Sequence, residues 1–551
     1  MRFNFADIFL SKGVNYFTED VPLQAILNYF GIKPSSDLAS IGEYVSNEMM
    51  EASFYVDHFA RPSLQTWSIM DERIDSVWIS PEHSGMIKRF QELGVIRKAV
   101  EDGKMVEHFL SGYLISDSGI FCTLTLTAQT AFALKKYASD EVRKKYLPLF
   151  IDGNNPWLGA TYYTEIYGGS DLGSNRASAS PSGSKYILNS MDKYFASNAG
   201  LADAAIVTAR TSSSRTGSRG TRIFFVPSRK EDGSLNYLVR RLKDKLGTIA
   251  VPTGEVELIE SEGYLLGKEE DGIYSAMDIL AISRIDDAMS ALGIARKALW
   301  EAYIYAGKRS SFGKKLIEHN LMLRDLLEME SDLVSALILV IYTSKEFSAS
   351  SDEMPPFGDS YNYARMLTHI SKNTASWVSD RITRYCMEIN GGKGFLREFP
   401  MEKFHRDAIV TSIWEGTSNI QALDMLSLIM KKKTHIKLKE ILKRIAEDLD
   451  DRTERDLCQK LIDKTFRKVI AYTEADESQV YAKDILDALA TITMKVHLSA
   501  ISSHTHSSYF ASLNEIFTAR HFDNEVPVFK NIKEKADLLN WMSNQVLEVN
   551  R

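Results

Sequence analysis

Apolar positions along this chain recur mostly with the three-to-four-residue period of buried helices, and one internal stretch breaks the pattern. Residues 1–60 hold short helical stretches such as 22–30, closed by Gly31 at the position where a left-handed stop is expected. Residues 61–155 continue as helix. Phe121, Leu124, Leu126, Ala128, Ala131, Phe132 and Leu134 make a nearly all-round apolar helix that must be buried. The following polar stretch, 135–148, reads as a helix ended by Pro148. Over 156–270 the period changes to that of short strands, at 186–189, 204–209, 221–227 and 254–258, separated by Gly, Ser and Asp turns. Residues 271–435 return to long helices, where Ala276, Ala281, Ala288, Ala291 and Ala295 allow close packing. Residues 436–551 are again helical. The expected fold is mainly α with a central antiparallel β domain, and with N- and C-terminal helical extensions.

Composition narrows the function classes. The 551 residues suffice for three or four structural units around a large core. No apolar run approaches the roughly 18 residues needed to cross a bilayer. The start, Met1-Arg2-Phe3-Asn4-Phe5-Ala6-Asp7, lacks the basic region and long apolar core of a secretion signal, so a cytoplasmic location is expected. Cys122, Cys386 and Cys458 are widely separated, with no Cys-x-x-Cys or His-rich spacing, so neither a disulfide framework nor a metal site is indicated. A net charge of −7 argues against a surface built for nucleic acid. From Lys431 onward there are 20 Lys and Arg against 19 Asp and Glu, a balance of +1, well short of a domain specialised for duplex phosphates.

The candidate chemistry centres on Glu415, in Ile413-Trp414-Glu415-Gly416-Thr417-Ser418. Apolar neighbours keep water scarce and raise a carboxyl pKa toward the working range of a general base. Gly416 lets a ligand approach the backbone, and Thr417 or Ser418 is placed to cap the next helix. On its own the segment is equally a loop acid beside a helix cap. Two further segments accompany it: Glu388-Ile389-Asn390-Gly391-Gly392-Lys393-Gly394-Phe395, and Thr164-Glu165-Ile166-Tyr167-Gly168-Gly169-Ser170-Asp171.

In order, spacing and segment type these three resemble the acyl-CoA dehydrogenase flavoproteins over roughly residues 60 to 430, with the α–β–α order of that family. Ile166 stands where the family usually has proline, and the Gly-Gly-Ser-Asp run leading to Ser174-Asn175 looks like the alkylation-response, AidB-like branch. The resemblance implies FAD and a set of residues around it. Tyr163, Thr164 and Ser170 fall where the family lines the flavin ring. Lys193-Tyr194-Phe195-Ala196-Ser197-Asn198 places Phe195 at the flavin edge and Ser197 near N5, although the same pair also reads as two strand residues facing a core. Arg309-Ser310-Ser311-Phe312-Gly313 offers a guanidinium suited to a pyrophosphate. By resemblance Arg309, Ser311, Phe312, Glu388, Gly391 and Gly392 serve the cofactor, the arginine and the glycines that of a neighbouring subunit, which implies a homo-oligomer, expected as a tetramer. Thr417 and Asn419 complete that set. Arg284, 25 residues before Arg309, sits where the family has a helix arginine near the base, or else pairs with Asp286 or Asp287.

The implied reaction is α,β-dehydrogenation of a fatty acyl-CoA to the trans-2-enoyl-CoA. Glu415 removes the α proton, flavin N5 accepts the β hydride, and an electron-transfer flavoprotein is the expected acceptor. The alternative is an AidB-like flavoprotein that binds DNA through its C-terminal helices and retains weak dehydrogenase activity.

Overall fold

The computed structural model describes residues 8–152, 155–212, 215–523 and 535–543. The leader reading above rests on residues 1–7, which lie outside them.

The N-terminal unit is a layer of short helices: α1 (Val21–Tyr29), α2 (Asp37–Tyr44), α3 (Met50–Phe59), then a hairpin of β1 (Ser63–Trp67) and β2 (Arg73–Trp78), then α4 (Pro81–Glu92), α5 (Val95–Lys98), α6 (Met105–Ile115), α7 (Ser118–Tyr137) and α8 (Asp140–Ile151). Asp20 caps α1 by accepting from the Leu23 amide at 3.0 Å, and Gly31 follows at φ +67° as the expected stop. The hairpin interrupts a stretch expected to be wholly helical. Its first strand, Ser-Leu-Gln-Thr-Trp, alternates exposure with the strand period of two, a signal too short to stand out. Nearly all of α7 is buried. The polar stretch after it departs from expectation: α7 stops at Tyr137, Ser139 caps α8, and Pro148 lies inside α8. Pro148 sits close enough to the C-terminus that less than one turn follows it, so the missing amide breaks little.

The central sheet runs β3-β6-β7-β9-β5-β4 with β8 on β9. Its strands are β3 (Gly159–Tyr162), β4 (Ser178–Ser182), β5 (Lys185–Ser197), β6 (Ala204–Ala209), β7 (Arg222–Pro227), β8 (Leu238–Leu242) and β9 (Thr253–Leu266). The pairings are antiparallel as expected except at one edge, where β3 pairs β6 in parallel with Gly159 opposite Ala204. After β3 the chain leaves for the β4–β5 hairpin and re-enters beside its own start, which makes a crossover and not a hairpin.

The C-terminal bundle is α9 (Gly272–Lys308), a two-residue-loop hairpin of β10 (Ser310–Ser311) and β11 (Lys314–Lys315), α10 (Asn320–Ser350), α11 (Asp359–Ile389), α12 (Met401–Ile409) and α13 (Ser418–Lys432). The alanines of α9 lie fully inside. The pairings Lys372 with Asp287 and Ser379 with the Ala291 carbonyl advance together, so α9 and α11 run in the same direction. The extension adds α14 (Thr434–Glu447), α15 (Arg452–Thr473), α16 (Ala482–Thr505) and α17 (Ser508–Thr518), fastened to α10 by Ser331 on the Leu513 carbonyl at 3.0 Å. Contrary to the run-length expectation, the stretch Ser478–Thr505 is long and apolar enough to cross a bilayer, but most of it is buried inside the bundle.

Candidate active site

Glu415 lies in the turn between α12 and α13, at φ +56°, followed by Gly416 at φ +98°. A left-handed glutamate costs roughly 1–3 kcal/mol and persists only where its surroundings over-determine it. Here they do. Arg284 Nε and Gln421 Nε2 each donate to the Glu415 carbonyl at 3.0 Å, and Gln421 Nε2 also donates to the Gly416 carbonyl at 2.9 Å. Lys372 Nζ donates to the same Gly416 carbonyl at 3.0 Å, and the Trp414 indole donates to Asp287. A Cβ on Gly416 would stand 2.7 Å from Gln421 Nε2, so the close approach requires glycine.

The carboxyl of Glu415 turns inward onto α9, where Ser283 Oγ donates to Oε2 at 2.5 Å. Burial pushes its pKa above the usual carboxylate range; the Ser283 hydrogen bond and the charges of Arg284 and Lys372 pull the other way without prevailing. Burial likewise pushes Asp287 up to about 8, against the opposing pull of Lys372 at 3.6 Å. His369, whose Nδ1 meets Gln421 Oε1 at 2.7 Å, is pushed down to about 3 by burial and stays neutral. Arg284 differs from its alternative reading. It pairs with neither Asp286 nor Asp287; its carboxylate neighbour is Asp424 at 4.0 Å, on α13, and its role is to hold the Glu415 backbone. The surroundings of Glu415 are drier than bulk water but less apolar than the sequence suggests, because Ile413 is 57% exposed and Trp414 is hydrogen bonded. Thr417 is the N-cap residue of α13 but makes no capping hydrogen bond, and Ser418 instead accepts from the Trp377 indole at 2.8 Å.

The segment after β3 and the end of β5 are bound together by a buried ion pair. Lys193 Nζ lies 2.9 Å from Glu165 Oε1, neither side chain is exposed, and Lys193 also donates to the Thr208 carbonyl at 2.8 Å. The Tyr194 amide donates to the Thr164 carbonyl at 3.0 Å. Tyr163, Thr164, Phe195 and Ser197 are thereby held as one group. The Phe195 ring is half exposed, with Lys243 Nζ 4.8 Å from its centre, and Ser197 Oγ shares a hydrogen bond with Thr253 at 3.1 Å. Cys122 of α7 joins this group to the turn: its thiol lies beside the Ser197 hydroxyl and within electrostatic reach of Glu415. Tyr163 likewise feels the Glu415 charge. Ser170 is exposed at the rim, and Gly168 packs where a Cβ would stand 2.4 Å from Asn175 and Ser174.

Arg309, Ser311, Phe312, Glu388, Gly391 and Gly392 are not brought to Glu415. They gather at the common end of α9 and α11, 26 residues of helix from Ser283, roughly 40 Å at 1.5 Å per residue. Arg309 is exposed with no ion-pair partner among the described residues, and nothing lies within 4 Å of a Cβ on Gly391 or Gly392. Phe312, at φ +52° in the hairpin turn, is 94% exposed, and Phe395 is 82% exposed. Glu388 pairs with Arg384 at 2.9 Å on the surface, and Asn419 is exposed at the start of α13.

Ser283, Lys372 and Gln421 escaped the sequence reading, and Asp287 entered it only as an alternative partner of Arg284. Their one signal is polarity at positions otherwise packed in apolar helices. Elsewhere Asp57, His58 and Glu402 form a cluster of metal-ligand chemistry, but Arg406 already pairs with both carboxylates, at 2.7 and 2.5 Å.

Residues 10–154 match the adaptive response protein AidB N-terminal domain, 160–260 the acyl-CoA dehydrogenase middle domain and 270–429 the acyl-CoA dehydrogenase C-terminal domain. The acyl-CoA dehydrogenase family member 11 of Caenorhabditis elegans is 26% identical, over 92% of this chain and 87% of its own. The crystal structure of Caenorhabditis elegans ACDH-11 in complex with C11-CoA shares the fold, with a TM-score of 0.79 at 23% identity over 96% of this chain and 95% of that one. The 3-(aryl)acrylate reductase of Clostridium sporogenes is 31% identical over 53% of this chain and 74% of its own. By these matches, which span the helical and β units alike, the chain belongs to the acyl-CoA dehydrogenase family.

Proposed function

We propose that this protein is an FAD-dependent acyl-CoA dehydrogenase in which Glu415 takes the α proton of the thioester. The observation that carries the reading is a carboxyl of raised pKa, fixed in a strained turn, across from the strand end that presents Ser197. A base must be deprotonated to act, and its ideal pKa lies near the working pH. The backbone N–H of Glu415 is a candidate donor to the thioester oxygen as charge develops there.

The residues present suit a flavin dinucleotide. The half-exposed Phe195 ring offers a flat apolar face, Ser170 and Ser197 offer hydroxyls, and Arg309 with the open Gly391-Gly392 backbone suits a pyrophosphate. FAD bound there supplies the two-electron acceptor for the β hydrogen. Since Arg309 and the glycines lie far from Glu415 of the same chain, they serve the site of another copy. The exposed Phe312 and Phe395 are the apolar contacts such an assembly, read as a homotetramer, would cover. Phe312→Asp is expected to give smaller particles by light scattering, with loss of bound flavin. A variant that keeps its size and colour contradicts the assembly. An electron-transfer flavoprotein is the proposed acceptor.

The rate at which acyl-CoA bleaches the flavin anaerobically should rise with pH as Glu415 loses its proton, along a limb displaced above the usual carboxylate range. Ser283→Ala removes a hydrogen bond that favours the charged form, so its limb moves to higher pH. An unmoved limb would remove Ser283 from the account.

The match to the AidB N-terminal domain favours a second reading, a flavoprotein that binds DNA and keeps weak dehydrogenase activity. Retention on duplex DNA that falls steeply with salt would support it; the near-neutral C-terminal extension speaks against it.

A further inference from the structure

We infer that the acyl group taken by this site is short, ending within about one helical turn of Glu415. The inference rests on the dehydrogenase reading above and deepens it. The reacting carbons have to lie between the Glu415 carboxyl and the Ser197 strand end, beside the seam where α7 crosses α9: Ser283 of α9 holds the carboxyl, and Cys122 of α7 lies beside the Ser197 hydroxyl.

The seam is laced shut. Ser118 and Ser290 share a hydrogen bond at 3.2 Å, Thr125 donates to Asp286, and Gln129 Nε2 donates to the Ile279 carbonyl at 2.9 Å. These three links descend α9 as they ascend α7, an antiparallel register that sets Cys122 across from Asp287. Beyond Cys122 in the direction of Gln129, both turns of α7 are tied directly to α9, and His108 Nε2 holds Asp286 from behind at 3.1 Å. A long saturated tail has no path along this seam without breaking two buried links.

The lining around the base points the same way. The Tyr163 hydroxyl is buried and without a hydrogen-bond partner, in a residue 6% exposed that feels the Glu415 charge. Methylene groups laid against it would leave it unpaired and shut off from water, which disfavours an alkyl chain at this place. A short acyl group leaves room for a water or a polar substituent to satisfy it.

The test is anaerobic bleaching of the flavin-loaded protein by butyryl-, octanoyl- and palmitoyl-CoA, compared as kcat/KM. Butyryl-CoA should exceed palmitoyl-CoA by at least roughly tenfold, the discrimination a closed apolar step affords per group or two. The double variant Thr125→Val, Gln129→Leu should raise the octanoyl rate relative to the butyryl rate. Palmitoyl-CoA reacting as fast as butyryl-CoA, or faster, would overturn the inference and leave the dehydrogenase reading intact. Failure of all three thioesters to bleach fully loaded protein would overturn both. If the double variant does not fold, the series with unaltered protein decides alone.

Discussion

Glu415→Gln should retain bound flavin and lose bleaching by acyl-CoA, by roughly two to four orders of magnitude, the usual contribution of a positioned base. The amide keeps the size of the side chain and can still accept the Ser283 hydrogen bond. The turn around it is held by backbone contacts from Arg284, Gln421 and Lys372 that do not involve the carboxyl, so the fold should be indifferent to the change. Colour and thermal transition should therefore match the unaltered protein while the rate collapses. Near-normal bleaching in Glu415→Gln would move the chemistry to another residue.

The second large effect is on stability. Lys193→Met should destabilise the protein by roughly 3–5 kcal/mol, because it leaves Glu165 buried without its cation. Glu165 also accepts from the Arg176 and Ala177 amides, at 2.6 and 3.2 Å, so the loss loosens the whole segment between β3 and β4. That segment carries Thr164 and Ser170, so flavin should dissociate as the protein weakens. Denaturant titration with and without added FAD measures both. A midpoint within the error of the unaltered protein would show that the pair contributes nothing net.

What could be read from the sequence was whatever depends on local pattern. The apolar helix through Phe121 and Phe132, the alanine-lined α9, the stop at Gly31 and the strands β6, β7 and β9 all announce themselves by period and turn chemistry. The partners of Glu415 do not. Arg284, 131 residues away in sequence, stood out only through the family resemblance; Ser283 lies 132 residues away, and nothing in an alanine-rich helix singles it out until α9 is laid against the turn. The same holds for Lys372 and Asp287, buried charges that look like misplaced surface residues until they are seen to grip Gly416 and Trp414. The parallel pairing of β3 was hidden because a strand of four residues carries no sign of its neighbour's direction. Pro148 misled by its strength as a breaker: in the last turn of a helix it removes too little to end it. The separation of Arg309 and Gly391 from Glu415 was visible only as a resemblance, and the parallel course of α9 and α11 turns it into a distance.

The central claim is that Glu415 and a flavin act on opposite sides of one carbon pair. Its most direct test is to mix the purified, FAD-loaded protein with butyryl-CoA in the absence of oxygen and follow the flavin's visible absorbance. The account predicts rapid bleaching together with formation of the trans-2-enoyl thioester. Protein that stays yellow in excess thioester, or that yields no enoyl product as it bleaches, would contradict it.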